Sequence, residues 1–204
     1  NEHIPAILNV WFGGSEASDA ICDVLFGDRV PGGRLVTSMP KSTGQLTLYY
    51  NHLNTGRPER QWFSKFRSNF LDVDNDPLFP FGYGLSYTTF SYGEVRLDRH
   101  TLHEGGKITA AVDVTNTGAY DADEVVQLYI RDVAGSVSRP VKELKGFRRI
   151  SLKRGETKTV SFDVTTDDLR FYNADLDYVY EPGEFELMIG RNSADVQTVR
   201  FSLE

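Results

Sequence analysis

Two kinds of hydrophobic patterning divide the chain. In residues 6–12 (Ala-Ile-Leu-Asn-Val-Trp-Phe) apolar side chains run almost unbroken between Pro5 and Gly13-Gly14, the pattern of a strand buried on both faces. Ser15 offers an N-cap, Glu16 and Asp19 suit the positive end of a helix dipole, and Ala17, Ala20, Ile21, Val24 and Leu25 share one helical face, which predicts a helix over residues 16–26. Gly27-Asp28 stops it, Pro31-Gly32-Gly33 turns the chain, and Leu35-Val36-Thr37 forms the next candidate strand, a βαβ layout. One such unit cannot cover a parallel sheet, so its layers need strands from a missing upstream portion or from another chain, a second copy included.

Beyond residue 87 the period changes to two. Ile108, Ala110, Val112 and Val114 point one way while Thr109, Asp113 and Thr115 point the other. The alternation recurs in Val126/Leu128/Ile130, Val160/Phe162/Val164, Phe185/Leu187/Ile189 and Val199/Phe201/Leu203, with turn signals at Asn116-Thr117-Gly118, Arg154-Gly155-Glu156 and Glu181-Pro182-Gly183. With strands near residues 90–97 and 141–150, the count is about seven, that of an immunoglobulin-like or fibronectin type III-like sandwich. The fold class is therefore α/β followed by all-β, with one piece over residues 1–86 and another over residues 87–204.

Between them lie a long polar loop, residues 40–79, and the segment Pro80-Phe81-Gly82-Tyr83-Gly84-Leu85-Ser86-Tyr87. Aromatics set among proline and glycines predict a packed joint, since a flexible linker is Ser/Gly-rich and free of large apolar side chains. A connection of forty residues is long for a compact domain, and loops of that length are functional or disordered. The apolar patches Leu46-Thr47-Leu48-Tyr49-Tyr50 and Trp62-Phe63 argue for order.

Composition narrows the function classes. Hydrophobic residues at 40% and charged residues at 25% are those of a globular protein, and the net charge of −7, with its Lys and Arg scattered among acids, predicts no nucleic-acid partner. Cys22 is the single cysteine, which removes an intramolecular disulfide and a cysteine-based zinc site and is expected to be a small buried hydrophobe on the helix. No apolar run approaches the roughly 20 residues of a membrane helix, so no membrane partner is expected.

Several residue groups invite chemical readings. Asp72 and Asp74 could be taken for a catalytic pair, but adjacent carboxylates on a loop are ordinarily solvated, and catalysis needs a held geometry and a perturbed pKa. Asp72-Val73-Asp74-Asn75-Asp76 opens like a calcium loop, yet Pro77 stands where glycine is needed and Tyr83 where glutamate is needed, so an Asp/Asn-rich turn is expected and no metal. Gly13-Gly14-Ser15 could present backbone N–H groups to an anion, but without a further Gly or Lys a capped turn is the simpler reading. His52, Asn54, Arg57 and Trp62 are the most sugar-like set, hydrogen-bonding groups beside an aromatic face. They would either line the rim of a substrate site or pin their own loop.

A family resemblance ties these stretches together. Leu25-Phe26-Gly27-Asp28 with Pro31-Gly32-Gly33-Arg34-Leu35, Tyr49-Tyr50-Asn51-His52 with Asn54-Thr55-Gly56-Arg57-Pro58, and Leu78-Phe79-Pro80-Phe81-Gly82-Tyr83-Gly84-Leu85-Ser86-Tyr87 resemble the end of the second domain of glycoside hydrolase family 3. Val141-Lys142-Glu143-Leu144-Lys145-Gly146-Phe147 and Glu181-Pro182-Gly183-Glu184-Phe185 are similar to that family's C-terminal fibronectin type III-like domain. The resemblance implies the C-terminal part of an α/β sandwich domain followed by a fibronectin-like domain, within a retaining β-glucosidase-like enzyme that hydrolyses terminal β-linked glucose, is secreted or periplasmic and uses no cofactor. It further implies that an upstream barrel supplies the aspartate nucleophile and the upstream part of the sandwich a glutamate acid/base, two carboxylates about 5 Å apart. Neither motif occurs here, so no catalytic residue is expected in this chain, whose own role would be structural. A non-catalytic carbohydrate-binding or adhesion module, or one half of a split enzyme, is the alternative.

Overall fold

The structure, a computed structural model, describes residues 3–57 and 65–204. Its body is a two-sheet sandwich. Strands β1 (Phe90–Tyr92), β2 (Arg96–Leu97), β4 (Lys107–Asn116) and β7 (Thr157–Thr165) form one sheet, with β1, β2 and β7 all antiparallel to β4. The other sheet runs β3 (Thr101–Leu102), β11 (Val196–Leu203), β10 (Gly183–Gly190), β5 (Ala122–Asp132), β6 (Glu143–Leu152). A short ribbon, β8 (Phe171–Tyr172) with β9 (Tyr178–Val179), stands apart. The expected first strand over residues 90–97 is broken into β1 and β2, both held by β4, with Gly93 N–H donating to the Asp113 carbonyl between them.

The period-two pattern explains the core. Ile108, Ala110, Val112 and Val114 of β4 meet Val126, Leu128 and Ile130 of β5, Phe185, Leu187 and Ile189 of β10 and Phe201 and Leu203 of β11 in one buried cluster. Phe185 and Phe201, register partners, stack at 5.3 Å. Asn116 closes one end: its side chain accepts from Thr88 Oγ1 (2.8 Å) and donates to the Tyr120 and Leu152 carbonyls.

The first piece differs from its expectation. Among its described residues one α-helix forms, α1 (Ala17–Phe26), closed by Gly27 at φ 86°, whose N–H donates to the Val24 carbonyl. Glu16 rather than Ser15 stands at its N-cap, without a side-chain cap, because the Ala17 N–H to Gly14 carbonyl bond starts a backbone turn earlier. The strands expected at residues 6–12 and 35–37 do not form, and residues 6–12 are exposed. The backbone of residues 6–12 has no neighbouring strand in the described chain to pair with, while Leu35 pairs with the joint instead, its N–H donating to the Tyr83 carbonyl and its carbonyl accepting the Gly82 N–H (both 2.8 Å). α1 likewise buries no residue, and Cys22, expected inside, is exposed on it. Among the described residues every buried hydrophobic side chain lies at or after Val95, while Trp11 and Phe26 are 54% and 82% exposed.

Candidate functional site

The long loop is tied down by its own polar groups. Gln45, fully buried, accepts from Lys41 N–H (2.5 Å) and donates to the Asp74 and Asp76 carbonyls (2.9 and 3.2 Å). Lys41 Nζ lies 2.5 Å from Asp74 Oδ1, and this hydrogen bond holds the Asp74 carboxyl below its usual range. Asp74 also accepts from the Asp76 N–H. The aspartate run is thus a turn whose central carboxylate faces the protein's own ammonium.

Downstream, the loop crosses the outer face of the five-stranded sheet. Strand β5 faces two ways: Val126, Leu128 and Ile130 enter the core, while Gln127 and Tyr129 are buried on the opposite face. Onto that second face comes Tyr50, edge-on to Tyr129 at 5.8 Å and stacked on Phe81 at 4.2 Å. Its hydroxyl accepts the Leu144 N–H (3.2 Å). Gln127 Nε2 donates to the carbonyls of Gly82 (3.0 Å) and Arg191 (2.6 Å), and its Oε1 accepts from the Tyr129 hydroxyl (2.5 Å). Gly82 holds φ 80°, and a Cβ there would sit 2.0 Å from Gln127 Oε1; the joint is built around this close approach. Gly84 is hemmed in by the Gly33 carbonyl, 2.4 Å from where a Cβ would stand. Tyr87 is half exposed and reaches back to donate to the Val24 carbonyl (2.7 Å).

A second clasp lies at the sandwich end. Arg34 is ion-paired and hydrogen-bonded to the buried Glu124 carboxylate, which also accepts from Tyr92 Oη (2.8 Å). Burial raises the Glu124 pKa and Arg34 opposes that rise; burial and the neighbouring carboxylate push the Tyr92 hydroxyl up.

The sugar-like candidates follow Tyr50. His52 carbonyl accepts the Val141 N–H (2.9 Å), Leu53 bridges to Pro140, the Asn54 N–H reaches the Arg139 carbonyl (3.4 Å), and Ser138 Oγ donates to the Asn54 carbonyl (3.4 Å). This backbone pairing leaves His52, Asn54 and Arg57 exposed. Asn54 Oδ1 accepts the Gly56 N–H, shaping the turn, and His52 Nδ1 lies 3.1 Å from the Leu53 carbonyl. The fourth candidate, Trp62, lies outside the described residues. Asn54 and Gly56 form one wall of a pocket of about 390 Å³ whose other wall, residues 131–141, is the end of β5 and most of its connection to β6.

Arg139 organises that wall, and sequence reasoning passed over it. Its side chain, 13% exposed, lies between Asp132 (3.4 Å) and Glu143 (3.1 Å), with the guanidinium 4.2 Å from the Phe171 ring centroid. Burial raises the Asp132 pKa and Arg139 opposes the rise. Among the described residues lining the pocket Asp132 is the one carboxylate, and it is committed to Arg139. The arrangement can hydrogen-bond a polar ligand; it holds no second carboxylate for acid/base work. Elsewhere, the exposed pair Tyr172 and Tyr178 is tilted by 39° and makes no flat stacking platform.

Comparison with known proteins agrees with this architecture. Residues 1–87 match the family described as "Glycosyl hydrolase family 3 C-terminal domain", and residues 124–193 match "Fibronectin type III-like domain". The chain is 50% identical over 204 residues to a periplasmic β-glucosidase of Salmonella typhimurium, covering all of this chain and 27% of that protein. It is 46% identical to a β-xylosidase of Formosa agariphila, again over all of this chain and 28% of that protein. A crystal structure of β-glucosidase from Listeria innocua in complex with glucose superposes with a TM-score of 0.89 at 40% identity, covering 95% of this chain and 27% of the other. The chain thus spans about a quarter of the length of the relatives it matches.

Proposed function

Since the chain belongs to glycoside hydrolase family 3, we propose that it serves as the C-terminal portion of a retaining β-glucosidase-like enzyme acting on terminal β-linked glucose, with residues 1–86 completing an α/β sandwich domain and residues 87–204 forming the fibronectin type III-like domain. The observation that carries this reading is the asymmetry of burial. The apolar side chains at Ile7, Val10, Trp11, Phe12, Leu25 and Phe26 are exposed, whereas the sandwich has a complete core of its own. Large apolar side chains left exposed in this number mark an interface, and the partner is the remainder of the enzyme, its barrel and the upstream part of its sandwich domain. The two catalytic carboxylates reside in that remainder. His52, Asn54, Arg57 and Trp62 contribute to the rim of the substrate site and bind sugar hydroxyls or stack on the ring without breaking bonds. The parent enzyme is secreted or periplasmic, in keeping with the Salmonella relative.

The test is hydrolysis of an aryl β-glucoside by this chain and by the longer polypeptide. The chain alone is expected to give buffer-blank rates and the longer polypeptide steady turnover. Turnover by the chain alone that survives repurification overturns the reading, as does an inactive longer polypeptide.

A further inference from the structure

We propose that the fibronectin type III-like domain sets the position of the rim segment, residues 52–57, and that Arg139 is the positioning residue through which it does so; the link to sugar binding rests on the functional reading above. The rim segment has no secondary structure of its own. Its first half is bonded to residues 138–141, through Val141 N–H to His52 O, Asn54 N–H to Arg139 O and Ser138 Oγ to Asn54 O, while Thr55 Oγ1 and Arg57 O accept from the hydroxyl and N–H of Ser68. Whatever fixes that connection therefore fixes His52 and Asn54.

The connection leaves the sheet at Asp132 and rejoins it at Glu143, and one side chain spans both ends. The Arg139 guanidinium is ion-paired with Asp132 through Nε, without a hydrogen bond, donates one to Glu143 on the other side and lies over Phe171 of β8. A planar, always-charged fork with five donors can hold two carboxylates and a ring at once; an ammonium can take the charges but cannot reproduce the fork or the stacking. Gly135 packs against it, since a Cβ there would stand 3.0 Å from Arg139 Cγ. Glu181 secures the far part of the loop by accepting from both the N–H and hydroxyl of Ser136. The device lies wholly within residues 131–181, while the segment it holds precedes residue 58, so the sandwich controls a loop belonging to the other piece.

The experiment compares wild type, Arg139→Met and Arg139→Lys in two ways. Amide hydrogen exchange is read in this chain, where Arg139→Met should speed exchange at Asn54 and Val141 about tenfold or more, with Arg139→Lys intermediate, while β4 and β10 keep their protection. KM and kcat for an aryl β-glucoside are read in the longer polypeptide, where Arg139→Met should raise KM by about threefold or more with kcat within about twofold, and Arg139→Lys should recover part of the loss. Unchanged exchange at Asn54 and Val141 in a folded Arg139→Met chain overturns the positioning role. Faster exchange with unchanged KM overturns its bearing on sugar binding, and equal loss of protection at Asn54 and in β4 shows a merely structural role. If the wild-type longer polypeptide shows no turnover, the functional reading fails while the exchange arm still decides whether Arg139 positions the loop.

Discussion

Replacing Gly82 with alanine tests the joint at its tightest point. The backbone there is left-handed at φ 80°, where an L side chain costs about 1–2 kcal/mol. The new Cβ would fall 2.0 Å from Gln127 Oε1 and 2.8 Å from its Cδ, so the carboxamide must move. In moving it gives up at least two of its bonds to the Gly82 and Arg191 carbonyls and the Tyr129 hydroxyl, each about 1 to 1.5 kcal/mol net. The expected loss is about 3–5 kcal/mol, felt at the joint because no joint residue belongs to the core cluster. Denaturant titration followed by hydrogen exchange at residues 79–84 and at β10 measures it, repeated in a Gln127→Ala background as a double-mutant cycle. In that background the alanine should cost only the backbone share, about 1–2 kcal/mol. Equal costs in both backgrounds would refute the argument that Gln127 reads the absence of a side chain at Gly82.

Phe81→Ala removes the ring stacked on Tyr50 and, Phe81 being only partly buried, should cost about 2–3 kcal/mol, below the range for a fully buried phenylalanine; limited proteolysis should cut residues 40–80 faster while leaving the sandwich resistant, and equal sensitivity of both pieces would contradict it. Residues 87–204 expressed alone should fold cooperatively, since the core begins at Val95; a broad, non-cooperative thermal transition would count against an autonomous domain. Asp98, Asp113, Asp123 and Asp163 have lowered pKa values, chiefly through hydrogen bonds from Thr109 N–H, Thr159, Ser151 and Lys107 respectively. Their stabilisation is therefore present above the unfolded-state value near about pH 4 and lost as pH falls through the lower folded values. The denaturation midpoint should drop below about pH 4, and Asp163→Asn should flatten that drop; an unchanged slope would refute the assignment.

The sandwich was legible because its signal is local. In β4, β7 and β10 every second residue is apolar, and both faces of the ladder follow from that alternation whatever lies outside the sandwich. The strand expected at residues 6–12 rests on a different signal: a nearly unbroken apolar run specifies burial without specifying by what, and the described chain supplies no neighbour. The second buried face of β5 escaped notice for a related reason: Gln127 and Tyr129 look like solvent-facing alternates until Gly82 and Tyr50 arrive from more than forty residues away. Arg139 was invisible because its partners Asp132 and Glu143 are brought together only when the connection folds back across the sheet. His52, Asn54, Arg57 and Trp62 are grouped in the sequence by their side-chain chemistry alone, and the structure shows which connection holds the backbone of His52 and Asn54.

If the exposed apolar residues of 1–86 await the remainder of a family 3 enzyme, hydrogen exchange across residues 6–12 must differ between this chain and the longer polypeptide. Exchange should be rapid in the isolated chain, where these amides lack ladder partners, and strongly slowed in the longer polypeptide, where the strand gains its neighbours. Strong protection in a monodisperse monomer of the isolated chain, or rapid exchange in both, would contradict it.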